Sequence, residues 1–199
     1  MTSHSDTVRD LFITGARNLH AVEKQALSIM TPQIARIEQR GQALTGFTAD
    51  VHRRGHQAGS MWISRSVSAA TEEEARLLEI DGDAAVARLA RVRLEDGEPL
   101  AIEHAVVPQH FLPDIDEVQD SLYAALAAAG ARPASGRQRL NASAATSIEA
   151  GLLSIHEGDA ILRIERLSRL GDGTPVELTR SAYRGDRFTF VTDLSGTAE

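Results

Sequence analysis

The stretch TEEEARLLEIDGDAAVARLARVRLEDGEPLAIEHAVV, from Thr71 to Val107, is repeated later as TSIEAGLLSIHEGDAILRIERLSRLGDGTPVELTRSAY, from Thr146 to Tyr183. Many residues match in order, and a shift of one residue is introduced after the matching Ile80 and Ile155. With that shift, Asp96-Gly97 aligns with Asp172-Gly173. A solenoid needs at least about three stacked units. Two copies therefore predict one pseudo-symmetric domain.

Each copy has the pattern of a short helix followed by a β-hairpin. Thr71 and Thr146 stand three residues before a glutamate, which is the signature of a capping box at a helix start. An Asp-Gly pair then separates two runs of alternating apolar and polar residues, which is a strong hairpin signal. Pro99 and Pro175 fall at the start of the return strand, where a missing N–H is tolerated.

Elements outside the repeat complete an α+β fold, an antiparallel β-sheet with flanking helices. Helices are expected at Thr45 to Gly55 and Ser121 to Gly130, and strands at Ser60 to Ala69, Arg137 to Ala145 and Arg187 to Leu194. Residues 1–43 carry helix formers at Ala21 to Ile29 and Gln33 to Arg40. We therefore expect a helical N-terminal segment over residues 1–43 and the main domain over residues 44–199.

The composition narrows the function classes. A hydrophobic fraction of 42% and a charged fraction of 25% are typical of a globular domain with a core. The net charge of −7 disfavours non-specific binding to nucleic acid. No apolar run approaches the roughly 20 residues that cross a bilayer, and the first residues lack the basic start of a signal peptide. We expect a cytoplasmic protein that does not bind membranes.

Arg91 and Arg93 are the first candidates for a binding site. They lie two residues apart in a predicted strand, so their side chains point to the same face of the sheet. Paired guanidiniums suit bidentate contact with a phosphate or carboxylate. A solvated arginine row on an exposed face is an equally good interpretation of the pair alone. In the alignment above, Arg93 matches Arg169 but Arg91 matches Leu167, and this difference between the copies favours a function.

The return strands carry further polar candidates. Glu103 lies within an apolar stretch where the second copy has Thr179, and Glu177, Thr179, Ser181 and Tyr183 share one face of their strand. A buried carboxylate needs a partner, and the hydroxyl or amide groups of a sugar would serve. A structural ion pair with a neighbouring arginine is the alternative for Glu103.

Two helix starts add backbone and hydroxyl donors. They are Thr45-Gly46-Phe47-Thr48 and Ser121-Leu122-Tyr123, and a helix N-terminus with small polar residues favours anions. Plain helix capping is the alternative in both cases.

The sequence gives little support for a metal site or for a common catalytic motif. The chain has no cysteine, and His52 and His56 have a metal-compatible spacing but no third ligand or HExxH pattern. The nucleophile elbow, the P-loop and the dinucleotide fingerprint are all absent from the sequence. We therefore predict no metal, no cofactor and no enzymatic activity.

Four segments together resemble a known family. They are LTGFTADVHRRG from Leu44, ARVRLEDGEPLAIEHAVVP from Ala90, SLYAAL from Ser121 and GDGTPVELTRSAYRGDRFTF from Gly171. In this order they are similar to the UTRA effector-binding domain of GntR-type bacterial transcriptional regulators (HutC subfamily), especially the N-acetylglucosamine-responsive type. The resemblance implies a fold like that of chorismate lyase, with a ligand at its centre.

The resemblance also implies a phosphosugar site, with glucosamine 6-phosphate or N-acetylglucosamine 6-phosphate as the effector. The positions that match phosphate-binding residues of the family are Phe47, Thr48, Arg91, Arg93, Ser121 and Tyr123. The positions that match sugar-binding residues are Glu103, Glu177, Tyr183 and, in a region where Ser135 replaces a basic residue of some relatives, Arg137.

Family members carry an N-terminal winged helix-turn-helix, and residues 1–43 contain neither its recognition-helix pattern nor its wing pattern. The expectation is a homodimeric sensor that controls DNA binding allosterically in full-length relatives, with no DNA contact by this chain alone. Two alternatives stay open. One is a lyase-like enzyme that uses Glu103 as an acid or base, and the other is a regulator that dimerises with a complete relative.

Overall fold

The computed structural model describes residues 37–40 and 44–192. Eight strands and four α-helices follow one another in these ranges. The strands are β1 (Ile37–Arg40), β2 (Ala58–Ala69), β3 (Ala85–Glu95), β4 (Glu98–Pro108), β5 (Ser135–Ala144), β6 (Ala160–Arg169), β7 (Pro175–Arg184) and β8 (Phe188–Val191). The helices are α1 (Phe47–Arg53), α2 (Glu72–Leu78), α3 (Leu122–Ala128) and α4 (Ser147–Leu153), with short 3-10 helices at Gln109–Phe111 and Ile115–Glu117.

Six strands form one antiparallel sheet in the order β2-β3-β4-β7-β6-β5. β1 and β8 form a separate parallel pair. The six-stranded sheet consists of two three-stranded meanders, β2-β3-β4 and β7-β6-β5, which join where β4 pairs with β7. The predicted α+β class and the antiparallel sheet with flanking helices are confirmed.

The duplicated unit is larger than the sequence repeat. α1 and α3 are both seven-residue helices, and each is followed by a strand, a capped helix and a hairpin. The chain therefore contains the unit α1-β2-α2-β3-β4 and its copy α3-β5-α4-β6-β7. Little sequence identity survives between the first two elements of each copy, so the repeat was visible only from α2 and α4 onward.

Both predicted capping boxes are present. The Thr71 hydroxyl accepts from the Glu74 N–H, and the Glu74 carboxylate accepts from the Thr71 N–H. Thr146 and Glu149 make the same reciprocal pair. Each capping glutamate also binds an arginine fourteen residues later, Arg88 in the first copy and Arg163 in the second. The boxes thus connect each helix start to the sheet beneath it.

Both predicted hairpins form, but their loops differ. Asp96 and Gly97 have φ angles of 51° and 84°, as a two-residue type I′ turn requires. The second loop is longer, from Leu170 to Thr174, and in it only Gly173 has a positive φ, of 92°. The additional residue of the second copy therefore lies in this loop.

This position of the additional residue corrects the alignment of the two copies. Arg91 lies opposite Glu103 between β3 and β4, and Arg166 lies opposite Thr179 between β6 and β7. Arg166 is thus the structural counterpart of Arg91, and Ser168 is the counterpart of Arg93. The expected match of Arg91 with Leu167 is wrong because the shift of one residue was placed before the strand instead of after it.

The two faces of the sheet carry different helices. α2 and α4 cover one face, where Leu78 packs on Val86, Val106 and Leu178, and Leu153 packs in an equivalent cluster. The opposite face carries α3, whose Leu122 and Leu126 pack on a group of sheet residues. Those sheet residues include Ala87, Leu89, Ala105 and Val107. The starts of α1 and α3 both lie on this second face, which positions the candidate site.

The predicted elements outside the repeat fall where expected, except at the N-terminus. The helix expected over Gln33 to Arg40 is wrong at its end, because Ile37–Arg40 is a strand that pairs with Phe188–Val191. The rest of the expected N-terminal helices lies outside the described residues, as do the last two residues of the strand predicted over Arg187 to Leu194. The domain boundary at residues 43 and 44 stays a prediction.

Candidate ligand-binding site

A pocket lies where the starts of α1 and α3 meet the face of the sheet. Its enclosed volume is about 40 Å³. The lining residues are Gly46, Phe47, Thr48, Arg91, Arg93, Glu103, Ser121, Leu122, Tyr123, Ile164, Arg166, Glu177, Thr179, Ser181 and Tyr183. Both copies of the unit contribute a helix start and sheet residues to it.

Nine of the ten predicted site residues line this pocket: Phe47, Thr48, Arg91, Arg93, Glu103, Ser121, Tyr123, Glu177 and Tyr183. Arg137 does not line it, and its place in the sugar site is a correction. It is exposed on the edge strand β5, opposite Leu167, which packs against the cluster under α2. Cross-strand partners share a face of the sheet, so Arg137 lies on the face away from the pocket.

Arg91 and Glu103 form a buried ion pair across β3 and β4. The Arg91 Nε donates to the Glu103 carboxylate at 2.7 Å, and the Arg91 Nη2 is 2.6 Å from the same oxygen. Burial alone would raise the pKa of the Glu103 carboxyl, but the charges of Arg91 and Arg93 outweigh it and hold the pKa below its ordinary value. The ion-pair alternative for Glu103 is therefore realised, and the solvated arginine row is excluded because both arginines are buried.

Arg93 is fully buried and is held by neutral groups. It donates to the Ser60 hydroxyl, to the Asp120 carbonyl and to the Thr48 hydroxyl at 2.7, 2.8 and 2.9 Å. Its guanidinium lies 4.3 Å from the centre of the Phe47 ring, and its Nε has no hydrogen-bond partner among the residues that the structure describes. Burial lowers the pKa of Arg93 to about 10; the charge of Glu103 opposes this shift and repulsion from Arg91 adds to it. Arg93 therefore stays protonated at neutral pH.

The backbone carbonyl of Asp120, just before α3, is a point where donors converge. The Thr48 hydroxyl donates to it at 2.8 Å, Arg93 at 2.8 Å and Arg91 at 3.3 Å. Ser121, the next residue, caps α3 by accepting from the Ala124 N–H. The capping alternative for Ser121 is thus realised, while Thr48 reaches the pocket arginines directly.

A second polar group lies on the side of the pocket formed by β6 and β7. The Tyr123 hydroxyl donates to Glu177 at 3.1 Å and is 3.0 Å from the Ser168 hydroxyl. Thr179 donates to the other oxygen of Glu177. Burial, and next the charge of Glu177, raise the pKa of Tyr123. Burial and Glu103 do the same for Tyr183, so both phenols are neutral donors.

Arg166 is the charged pocket residue that sequence reasoning missed. It donates to the Thr45 carbonyl and to the Gln138 side chain, both at 3.0 Å. Burial alone would lower its pKa, but Tyr123 and Glu177 outweigh this effect and raise it. Glu149 and Arg163 offered a signal, because their spacing equals that of Glu74 and Arg88. An alignment anchored on these pairs matches Arg166 with Arg91.

The histidines and the helices of the described chain have simple interpretations. The Nδ1 atom of His56 lies 2.5 Å from the Oδ2 atom of Asp96, in the turn of the first hairpin. No cluster of three potential metal ligands occurs within residues 44–192. None of the helices in the same range is long and apolar enough to span a membrane.

Comparison with known proteins identifies the family. The UTRA domain model matches residues 53–189. The chain is 38% identical over 159 residues to the HTH-type transcriptional repressor NagR of Bacillus subtilis, covering 78% of this chain and 65% of the relative. It is 27% identical over 146 residues to the HTH-type transcriptional regulator GgaR of Escherichia coli K12, covering 73% of this chain and 59% of the relative. The chain thus spans less than two thirds of the length of both relatives.

Solved structures share the fold. The effector domain of PhnF from Mycobacterium smegmatis matches with a TM-score of 0.74 and 28% identity, covering 80% of this chain and all of that one. A GntR-family transcriptional regulator from Enterococcus faecalis V583 matches with a TM-score of 0.63 and 29% identity, covering 68% of this chain and all of that one. The chain therefore belongs to the UTRA domain family, the ligand-binding domains of GntR-type transcriptional regulators.

Proposed function

We propose that the pocket binds a phosphorylated amino sugar, glucosamine 6-phosphate or N-acetylglucosamine 6-phosphate, and that binding controls the affinity of a transcriptional regulator for DNA. The observation that carries the proposal is Arg93, a fully buried guanidinium whose hydrogen-bond partners are all uncharged. The carboxylate that most favours its charge, Glu103, is already paired with Arg91. A buried cation is costly without an anionic partner. A phosphate would supply that partner and would also meet the unpartnered Nε.

The convergence on Asp120 supports the same ligand chemistry. Three donors, from Thr48, Arg91 and Arg93, already point at one carbonyl oxygen. Donors brought together in this way are what an oxyanion needs. The sugar would then lie over the sheet towards Glu177 and Tyr183, which offer hydroxyl-binding groups. The resemblance of the sequence to the N-acetylglucosamine-responsive type supports an amino sugar as the effector class.

The proposed ligand requires the pocket to open. A volume of about 40 Å³ holds a few water molecules at most, since each needs roughly 10–15 Å³ of such space. α1 is the element best placed to move. Its start is held to the pocket by hydrogen bonds from Arg93 to Thr48 and from Arg166 to Thr45. A ligand that takes over these arginine donors would release the start of α1. A ligand that binds the opened arrangement better shifts the population towards it. We also propose that the domain forms a homodimer, which light scattering of the purified chain would test. In a full-length regulator, the shift would change the arrangement of the dimer and so alter its affinity for DNA.

Calorimetric titration of the two sugar phosphates tests the proposal. Arg93→Gln removes the charge and is expected to weaken binding about 10- to 100-fold, because a hydrogen bond to a charged group contributes about 1.5–3 kcal/mol. Arg132→Gln makes the same charge change at an exposed position outside the pocket and should bind like the wild-type protein. Unchanged affinity in the Arg93→Gln protein would exclude the phosphate assignment.

The enzyme alternative is disfavoured by the Arg91–Glu103 pair. A general acid or base works best with a pKa near the working pH, whereas the pKa of Glu103 is held below its ordinary value by two arginines. The named relatives are also transcriptional regulators. Mass spectrometry of a sugar phosphate incubated with the protein would reveal turnover, and we expect the ligand to be recovered intact.

A further inference from the structure

Glu95, the last residue of β3, is a buried carboxylate that lies outside the pocket lining. Each of its two oxygens faces an arginine from a different part of the chain. Oε1 accepts from the Arg54 Nη2 at 2.8 Å, and Oε2 lies 3.5 Å from the Arg187 Nη2. A buried carboxylate is stable only when such partners compensate its charge. Arg54, Glu95 and Arg187 together form the Glu95 triad.

The first ion pair of the Glu95 triad holds the end of α1. Arg54 is the residue that caps this helix. Three residues later, Gln57 exchanges two backbone hydrogen bonds with Asp96 in the turn between β3 and β4, at 2.8 and 2.9 Å. The start of the same helix contacts the pocket, because the Thr48 hydroxyl accepts from a pocket arginine. One short helix therefore has its start at the pocket and its end in the triad.

The second ion pair of the triad holds the turn before β8. Arg187 ends this turn, and Phe188 begins the strand. The turn also contains an ion pair of its own, between Arg184 and Asp186 at 2.8 Å. Within residues 37–40 and 44–192, β8 pairs with β1 alone. The position of the β1–β8 pair therefore depends on this turn and on the side chains of β8.

An apolar cluster also joins β8 to the pocket. Phe47 and Tyr183, which line the pocket, pack in the same cluster as Phe188, and the ring centres of Tyr183 and Phe188 are 4.2 Å apart. Apolar burial is non-directional, so this cluster holds its members together without fixing their orientation. Ion pairs between a guanidinium and a carboxylate fix both distance and direction. The Glu95 triad is therefore the connection that makes the turn before β8 follow the end of α1.

We infer that Glu95 is a positioning residue that transmits a displacement of α1 to the β1–β8 pair. The inference rests on the proposed function, because the displacement is the opening of α1 that the proposed ligand requires. α1 is then an element that both the ligand and the β1–β8 pair bias, which is the physical condition for coupling between two places. β1 directly follows residues 1–36 in the chain, so the response reaches the point where those residues join the domain.

Hydrogen exchange measured by mass spectrometry tests this inference without a ligand. Thr48→Ala removes the hydroxyl that joins the start of α1 to the pocket. The amide exchange of α1 is expected to rise about tenfold, the range of one hydrogen bond to a charged group. With Glu95 present, the exchange of β8 rises by a similar factor. In the Thr48→Ala, Glu95→Gln protein, the α1 exchange rises but the β8 exchange stays within about twofold of Glu95→Gln alone.

Arg187→Gln is the second variant, because it removes the ion pair to the turn and keeps the pair between Arg54 and Glu95. It gives the same result as Glu95→Gln and keeps the test decisive if Glu95→Gln does not fold. Glu72→Gln, at an exposed position on α2, makes the same change of charge as Glu95→Gln and leaves the β8 response as in the wild-type protein. An equal β8 response to Thr48→Ala in all these backgrounds would assign the connection to the apolar cluster and overturn the inference. The absence of any β8 response in the Thr48→Ala protein would overturn it as well.

Addition of N-acetylglucosamine 6-phosphate extends the test to the bound protein. Arg187→Gln is expected to bind it within about threefold of the wild-type affinity, since Arg187 lies outside the pocket lining. The ligand changes the exchange of β8 in the wild-type protein but not in this variant, and an equal change in both overturns the inference. If the wild-type protein binds neither this ligand nor glucosamine 6-phosphate, the proposed function fails, whereas the Thr48→Ala comparison still decides the inference.

Discussion

At the scale of single residues, the pocket is built from charges that depend on one another. Arg91 and Glu103 are both buried, and each is the nearest opposite charge of the other. Such a pair contributes little net stability compared with an apolar replacement, but breaking it leaves an isolated charge in the interior. Breaking the pair is therefore expected to change the pocket and to lower the free energy of unfolding.

Arg91→Met is expected to reduce the free energy of unfolding by about 3–5 kcal/mol, because it leaves Glu103 without its partner in a buried position. The double change Arg91→Met, Glu103→Gln should recover most of that loss. Urea denaturation of both proteins measures the difference. If the single and double variants were equally destabilised, the loss would come from packing and the ion pair would not be its cause.

At the scale of elements, the capping glutamates do more than start a helix. Glu149 accepts from the Thr146 N–H and also from two nitrogens of Arg163 on β6. The hydrogen bond from Arg163 is the largest influence on this carboxyl and, with Thr146, lowers its pKa to about 2. A carboxyl whose pKa is lower in the folded state stabilises the fold above its unfolded pKa, and this contribution disappears as the pH falls through the folded value.

The Glu149 contribution should therefore be complete above about pH 4.5 and be lost as the pH falls towards about 2. After allowance for solvent screening, we expect it to be about 1 kcal/mol. Urea denaturation between pH 2 and 7 of the wild-type protein and of Glu149→Gln measures it. The gap between the two stability curves should close at low pH, and a constant gap would assign the effect to capping geometry alone.

The turn between β7 and β8 depends on a close approach of two backbones. A Cβ at Gly185 would lie 2.7 Å from the Ala160 carbonyl oxygen, which already accepts the Gly185 N–H at 2.9 Å. Gly185→Ala is expected to cost about 1–3 kcal/mol of folding free energy, because backbone must move to relieve the contact. Gly171→Ala is the control, since no atom of residues 37–40 or 44–192 lies within 4 Å of its added Cβ. Thermal unfolding should show a lower midpoint for the first variant only.

At the scale of the whole molecule, local sequence signals predicted the elements better than their mutual register. The capping boxes, the Asp-Gly turn and strand alternation are short-range features, and they led to the correct fold class and to nine pocket residues. The face on which Arg166 lies depends on which residues lie opposite each other in β6 and β7. That register follows from the loop that carries the additional residue. One misplaced residue in the alignment exchanged the two faces of β6, so Arg166 was missed. Arg137 was included because of the family resemblance alone, and the register of β5 with β6 places it on the other face.

The pairing of β4 with β7, where the two units meet, points to the evolutionary origin of the domain. Two equal units that meet at one antiparallel strand pair are what gene duplication and fusion of a symmetric dimer would leave. In that ancestor the pocket would have lain on the two-fold axis between identical subunits, with an arginine from each at the positions of Arg91 and Arg166. Fusion allowed each half to mutate separately. Glu103 now faces one arginine and Thr179 the other, an asymmetry that no homodimer of identical chains could encode.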